Sequence, residues 1–411
     1  MKILAGILLL SVSTFAHAKT HIDGIWQGDA TVKGQQVPLT LQITGKGDKL
    51  QAALRNGPES SPATSAVLTG NHLVLTFNYF ARTLDATLDN GTLTGTFGST
   101  AAGATRIPVQ LTTATTKDPS GNTPPSIDGD WEVEVKSAKG ESAWQLRVEQ
   151  KGSDLRAVIQ RIDGDTGSLY GSGKSGEPIY KVSHFTAAGP ALYSFAPQPD
   201  GTLLLSNLLN DKQTNLVAHR PAEARKQNLP APTDPTQQTT LKDPTTPLQF
   251  SAPDLSGKLV SSKDVQFDGK VVIVAVGGSW CPNCHDEAPF LESLYKQFHT
   301  RGLEIVNLSF EEADQLKDPT RLHAFIQRYG ITYTVLLAGE PEQLNEKITQ
   351  ANNLNCWPTS FFIGRDGRVK EIHAGFAGPA NPPAHEELTK SVTALVEQLL
   401  AEPVPTQNAS R

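Results

Sequence analysis

The densest chemistry in this chain of 411 residues is a pair of cysteines three positions apart, Trp280-Cys281-Pro282-Asn283-Cys284. The pair follows a continuous apolar run over 271–276 (VVIVAV) and precedes a segment in which Phe290, Leu291, Leu294, Tyr295 and Phe298 fall on one helical face. A C-x-x-C pair set between a buried strand and the start of a helix is placed for redox chemistry. The first turn of a helix presents unpaired N–H groups and the positive end of the macrodipole, and both favour thiolate over thiol. Cys281 is therefore expected to be the nucleophile, and Cys284, one turn further in, the thiol that resolves a mixed disulfide. Asn283 brings no positive charge to the pair, which favours a reductant or neutral exchanger over a strong oxidant. A zinc site would want two more ligands, and only His285 and Cys356 are available to it.

The elements that must hold this pair are legible around it. Residues 303–308 read as a second strand, Leu322, Phe325, Ile326 and Tyr329 as a helix, and 333–337 as a third strand. Residues 359–363 and 368–373 form a hairpin about Arg365-Asp366-Gly367, and Leu388, Val392, Leu395 and Leu399 mark a closing amphipathic helix. Strands alternating with helices predict an α/β domain with a mixed sheet.

The first half of the chain has a different period. Ile22-Asp23-Gly24-x-Trp26 recurs as Ile127-Asp128-Gly129-x-Trp131, and Leu41, Ile43, Gly47, Leu50 and Ala52 match Leu146, Val148, Gly152, Leu155 and Ala157 at the same offset. Alternation such as Leu39-x-Leu41-x-Ile43 has the period of half-buried strands. Two antiparallel β-rich repeats, barrel- or sandwich-like, are expected over 19–111 and 127–220, with Trp26, Trp131 and Trp144 as packing residues. Neither holds a cysteine, and His72, His184 and His219 show no metal-ligand spacing. Their expected role is partner binding or spacing. A Thr/Pro-rich stretch at 112–126 separates them, and a Pro/Thr-rich stretch at 221–247 reads as an extended linker to the domain at 248–402. Residues 403–411 read as a disordered tail.

The formal net charge of −6 gives no basic excess for phosphates, so nucleic acid is not an expected partner. Three cysteines in the whole chain exclude a disulfide-stapled scaffold. Residues 1–18 read as a signal peptide: Lys2, an apolar run, then Ala16-His17-Ala18 as a cleavage site. That run is too short to span a bilayer, and no later stretch is long and apolar enough. The expected product is a soluble periplasmic or secreted protein without a transmembrane segment.

Residues 248–402 resemble a thioredoxin-superfamily domain, specifically the exported TlpA-like thiol–disulfide oxidoreductases of the broader redoxin or AhpC/TSA type. The resemblance rests on Phe250-x-Ala252-Pro253-Asp254-Leu255-x-Gly257-Lys258, on Trp280-Cys281-x-x-Cys284-x-x-Glu287-x-Pro289, and on Trp357-Pro358-Thr359-x-Phe361 with Asp366-Gly367. It implies a thioredoxin fold and a cis Pro358 facing the cysteines. Trp280, Trp357 and Thr359 would support that substrate edge, and Glu287 would take the proton of Cys284 as a general base. Pro289 would kink its helix. No cofactor is implied beyond a Cys281–Cys284 redox disulfide. The implied partners are a disulfide-bearing protein substrate and an external, membrane-bound electron donor.

Cys356, two residues before Pro358, reads either as a small space-filling residue or as an auxiliary thiol for intermolecular disulfides. Three rival functions stand beside disulfide reduction. A peroxiredoxin-like peroxidase, with antioxidant activity, wants Thr or Ser three residues before its cysteine, where Gly278 stands. A metal-binding chaperone would use Cys281, Cys284 and His285. A carbohydrate- or protein-binding module would make the β repeats the main business.

Overall fold

A computed structural model of the chain describes residues 22–114, 125–173 and 179–404. The expected signal peptide, most of the 112–126 stretch and most of the C-terminal tail lie outside the described residues.

Alternating side chains make strands because one face can then be buried while the other is solvated. In Gln35–Thr44 the inward residues are Val37, Leu39, Leu41 and Ile43. Nine such strands of the first β unit, all neighbours antiparallel, form one open sheet with edges at Glu59–Pro62 and Ser65–Thr69. The second unit closes instead. Its strand Ala143–Lys151 pairs with both Gly129–Glu134 and Asp154–Arg161, completing a ring of eight strands, and the short Gly164–Asp165 strand attaches outside it. The two units therefore differ in closure, although Trp26 Nε1 donates to Ile22 O (2.8 Å) and Trp131 Nε1 to Ile127 O (2.9 Å) in the same way. The first sheet stays open because its core is completed from outside: Phe185, Ala187 and Leu192 of the second unit pack into it. Trp26, Trp131 and Trp144 are all buried.

Residues 221–247 correct one expectation. They are not an extended linker but a folded strap with short helices Pro221–Lys226 and Pro235–Gln238, followed by Thr240–Leu241, which pairs with Ala351–Asn352. Two of its six prolines, Pro221 and Pro235, stand at the helix starts, where a missing N–H costs nothing and φ is already helical. Asp234 caps the second helix, accepting from Thr236 N–H (2.8 Å).

The C-terminal domain has a five-stranded mixed sheet. Its strands are β1 (Val271–Gly277), β2 (Leu303–Phe310), β3 (Thr334–Gly339), β4 (Thr359–Ile363) and β5 (Val369–Ala374), in the order β3-β2-β1-β4-β5. β1 to β3 are parallel, and β4 and β5 run antiparallel to β1 and to each other respectively. Every residue of β1 is buried, as a central strand covered on both faces requires. On one face Ile273 and Ala275 meet helices α1 (Pro282–Phe298), α2 (Thr320–Tyr329) and α3 (Pro382–Ala401); on the other Val272, Val274 and Val276 meet Leu248, Phe250 and Leu344. Helix α1 continues through Pro289 to Phe298. Among the described residues no helix is long and apolar enough to cross a membrane.

Candidate active site

The β1–α1 turn delivers the cysteines. Cys281 is the N-cap of α1 and Pro282 its first helical residue, so the proline supplies helical φ without wasting a donor. Cys284 N–H, one of the orphan donors of the first turn, points at Cys281 Sγ (3.3 Å). Cys281 and Cys284 are only 3% and 4% exposed. Burial, first, and then the neighbouring Cys281 and Glu287 hold the Cys284 thiol well above its usual range.

Glu287 lies one turn beyond Cys284 on α1 and is itself buried. Loss of water pushes its carboxyl up to about 7, opposed by a hydrogen bond from Ser360 Oγ to Glu287 Oε1 (2.8 Å). A carboxyl poised near neutrality beside a thiol that resists ionisation can exchange a proton with it. Tyr333 belongs to the same buried group; among the described residues its hydroxyl has no hydrogen-bond partner, and burial raises it well above its usual range.

The opposite wall is the loop before β4. The Trp357–Pro358 peptide is cis. Trp357 packs edge-on against Trp280 (centroids 5.4 Å apart) and Phe310 (5.6 Å). Trp280 is fixed in turn by its Nε1–H donating to Phe310 O (2.9 Å). Thr359 is fully buried and its Oγ1 donates to Cys356 O (2.9 Å), so its hydroxyl ties down the proline loop. Trp280 and Cys281 thus sit on the β1–α1 turn, Cys284 and Glu287 on the first turns of α1, and Trp357, Pro358 and Thr359 on the loop into β4.

Cys356 goes to the space-filling reading. It is 0% exposed, packed with Ile162 and Ala374, and burial pushes its thiol up to about 12. A buried thiol whose ionisation is disfavoured is poorly placed to serve as an intermolecular auxiliary.

Two rival chemistries meet specific obstacles. At Gly278 a Cβ would lie 2.3 Å from Trp280 Nε1 and 2.5 Å from Phe310 O, so the Thr or Ser of a peroxidatic site has no room. His285 spends both ring nitrogens, Nε2 on Ser279 O (2.8 Å) and Nδ1 on Tyr329 OH (3.0 Å). Burial lowers its pKa to about 3, so the ring is neutral, donating at Nε2 and accepting at Nδ1, with no lone pair left to hold a metal beside the cysteines.

Sequence reasoning missed the clamp behind the turn. Glu311, fully buried, accepts from Ser279 N–H and Ser279 Oγ (2.7 Å each) and from Ser309 Oγ (2.7 Å). Arg321 closes the cluster, its Nη2 on Glu311 (2.7 Å) and its Nε on Ser279 Oγ (2.7 Å). The available signal was a carboxyl directly after a buried strand, which needs hydrogen-bond donors around it to be buried there.

Known proteins place this domain. The sequence model of the AhpC/TSA family matches residues 245–372. The thiol-disulfide oxidoreductase ResA of Bacillus thuringiensis subsp. konkukian (strain 97-27) is 31% identical over 145 residues, 35% of this chain and 75% of the relative. The chain belongs to the TlpA/ResA-like branch of the thioredoxin superfamily. Family membership rests on the C-terminal domain. ResA of Bacillus anthracis is 32% identical over 122 residues, covering 30% of this chain, and the chain spans 64% of that relative's length. Among solved structures, the thiol:disulfide interchange protein (thioredoxin family) of Chlorobium tepidum TLS is 26% identical, with a TM-score of 0.31, covering 39% of this chain and 100% of that one.

Proposed function

We propose that this protein is an exported thiol–disulfide oxidoreductase that reduces protein disulfides through its Trp280-Cys281-Pro282-Asn283-Cys284 dithiol. The observation that carries the reading is the pairing of Cys281, at the helix N-terminus with a backbone N–H on its sulfur, with a buried Cys284 that has Glu287 as proton acceptor. Cys281 attacks one sulfur of a substrate disulfide and expels the other as a thiolate, leaving a mixed disulfide on Cys281. Cys284 then passes its proton to Glu287 and attacks Cys281 Sγ. The second substrate thiolate leaves and a Cys281–Cys284 disulfide remains. Substrate is reduced by two electrons and the pair oxidised by two. An external dithiol donor, membrane-bound in this reading, must restore the pair; no cofactor takes part. Export to the periplasm or medium is supported by the signal-like residues 1–18. Their equivalent tryptophan hydrogen bonds support reading the two β units as copies of one ancestral repeat.

The test is a trap. A full-length Cys284→Ala chain should retain substrates on Cys281 as stable mixed disulfides that mass spectrometry identifies. Capture of nothing beyond what a Cys281→Ala control captures would overturn the reading.

A further inference from the structure

The edge that a substrate chain would use is already occupied. Ile162, Asp163 and Gly164, at the rim of the second β unit, lie across it. The Asp163 carbonyl accepts from Phe376 N–H (3.1 Å) and from Asn283 Nδ2 (3.1 Å), the side chain between the two cysteines. Asp163 Oδ1 accepts from Trp357 N–H (3.2 Å), the last backbone donor before cis Pro358, and is ion-paired with Lys139. Gly164 forms a parallel β-bridge with Phe376. Ile162 packs on Cys356 and Ala374.

The approach is close enough to require glycine on both sides. A Cβ on Gly164 would stand 2.3 Å from Phe376 O and 2.8 Å from Asn283, and one on Gly375 would stand 2.0 Å from Ile162 O. The loop thus takes the donors that an added strand would pair with.

We infer that residues 162–164 are a built-in competitor for the substrate edge, and that Asp163 determines which disulfides reach Cys281. The inference rests on the proposed disulfide exchange and deepens it by narrowing the protein disulfides that qualify to those flanked by extended backbone. To displace Asp163, an incoming chain must offer acceptors to Trp357 N–H, Phe376 N–H and Asn283 Nδ2. An extended polypeptide flanking its disulfide has such carbonyls, and a low-molecular-weight disulfide without a peptide backbone does not.

Asp163 is held by three hydrogen bonds and one ion pair. Its neighbours Arg161 and Asp165 line a cavity of about 580 Å³ that Asn283 and Asp286 also line.

The test reads access without any substrate. In the reduced full-length chain, alkylation of Cys281 by a bulky maleimide is followed by mass spectrometry across pH. Asp163→Ala and Lys139→Ala remove opposite charges but release the same contact. Both should raise the high-pH plateau rate, on the order of tenfold for Asp163→Ala and threefold for Lys139→Ala, as loss of one or two net hydrogen bonds predicts. A charge effect on the thiol alone would move the two variants' pH midpoints in opposite directions and leave the plateau alone; that result, or no change in either, would overturn the inference. Amide exchange of residues 162–164 needs no substitution at the loop. It should accelerate when a disulfide-bonded peptide is held on Cys281 of the Cys284→Ala chain, and unchanged protection would overturn the inference. Since alkylation uses no disulfide, its failure is distinct from failure of the proposed activity, which the trap on Cys281 tests.

Discussion

Ser360 Oγ donates a 2.8 Å hydrogen bond to Glu287 Oε1, linking β4, directly after the cis-proline loop, to the helix that carries both cysteines. Glu287 is otherwise removed from water, so this bond is what keeps its carboxyl at about 7 and not higher. The group that takes the proton of Cys284 is thus tuned from across the sheet.

Glu287→Gln keeps the shape and removes the base. Resolution of the mixed disulfide should slow on the order of 10²-fold, while the first attack by Cys281 is spared. In the wild type the resolution rate should rise with pH through about 7, and the variant should lose that inflection. Rapid-quench separation of the two steps checks both outcomes.

The same carboxyl makes a stability prediction. Its folded-state pKa, about 7, lies above the ordinary 4.5, so the folded protein binds the extra proton between those values. Stability from this group is therefore complete below the ordinary value and lost as pH rises toward 7, by on the order of 3 kcal/mol. Denaturant titrations should show Glu287→Gln gaining on the wild type between pH 5 and 8; parallel curves would contradict the burial argument.

Gly278 is a packing requirement. Gly278→Ala forces its Cβ against Trp280 Nε1 and the Phe310 carbonyl and should destabilise the chain by about 1–3 kcal/mol. Tryptophan fluorescence should shift as Trp280 leaves its bond to Phe310 O. Gly278→Thr should bring no gain in peroxide consumption.

The Glu311–Arg321 pair should be worth more to lose than to possess. Arg321→Leu leaves a buried carboxylate and should cost about 3–5 kcal/mol by urea unfolding, more than the double variant Glu311→Leu/Arg321→Leu. A smaller loss in the single variant than in the double would show that the clamp does not work through charge.

Cys356 predicts an absence of effect. Wild type and Cys356→Ser should give the same monomer pattern on non-reducing gels, and native Cys356 should resist alkylation that consumes Cys281.

The residues legible in the sequence were those whose evidence is local. The apolar run before Cys281, the helical face after Cys284 and the glutamate one turn on are all set by spacing within about twenty residues, which is what periodicity reports. Period-two alternation exposed the β units for the same reason, but not that one closes and the other borrows Phe185 and Leu192 to complete its core. The unread features join distant segments. Asp163 reaches Trp357 across 194 positions, and Phe80 of the first β unit stacks on His285 at 4.0 Å. No pattern within either segment encodes its partner. The strap at 221–247 failed differently: helices of 6 and 4 residues are too short to show a period, and their prolines read equally well as breakers or as first helical residues.

The central claim is that Cys281 and Cys284 are one two-electron redox pair with Cys281 as the attacking sulfur. Its most direct test is a single turnover of the reduced full-length chain with a disulfide-bonded peptide, followed by intact mass and disulfide mapping. The account predicts loss of two hydrogens from the protein, a disulfide joining Cys281 to Cys284 with Cys356 still a thiol, and one reduced peptide per chain. Peptide reduction at an undiminished rate by Cys281→Ala, or a product disulfide that includes Cys356, would contradict it.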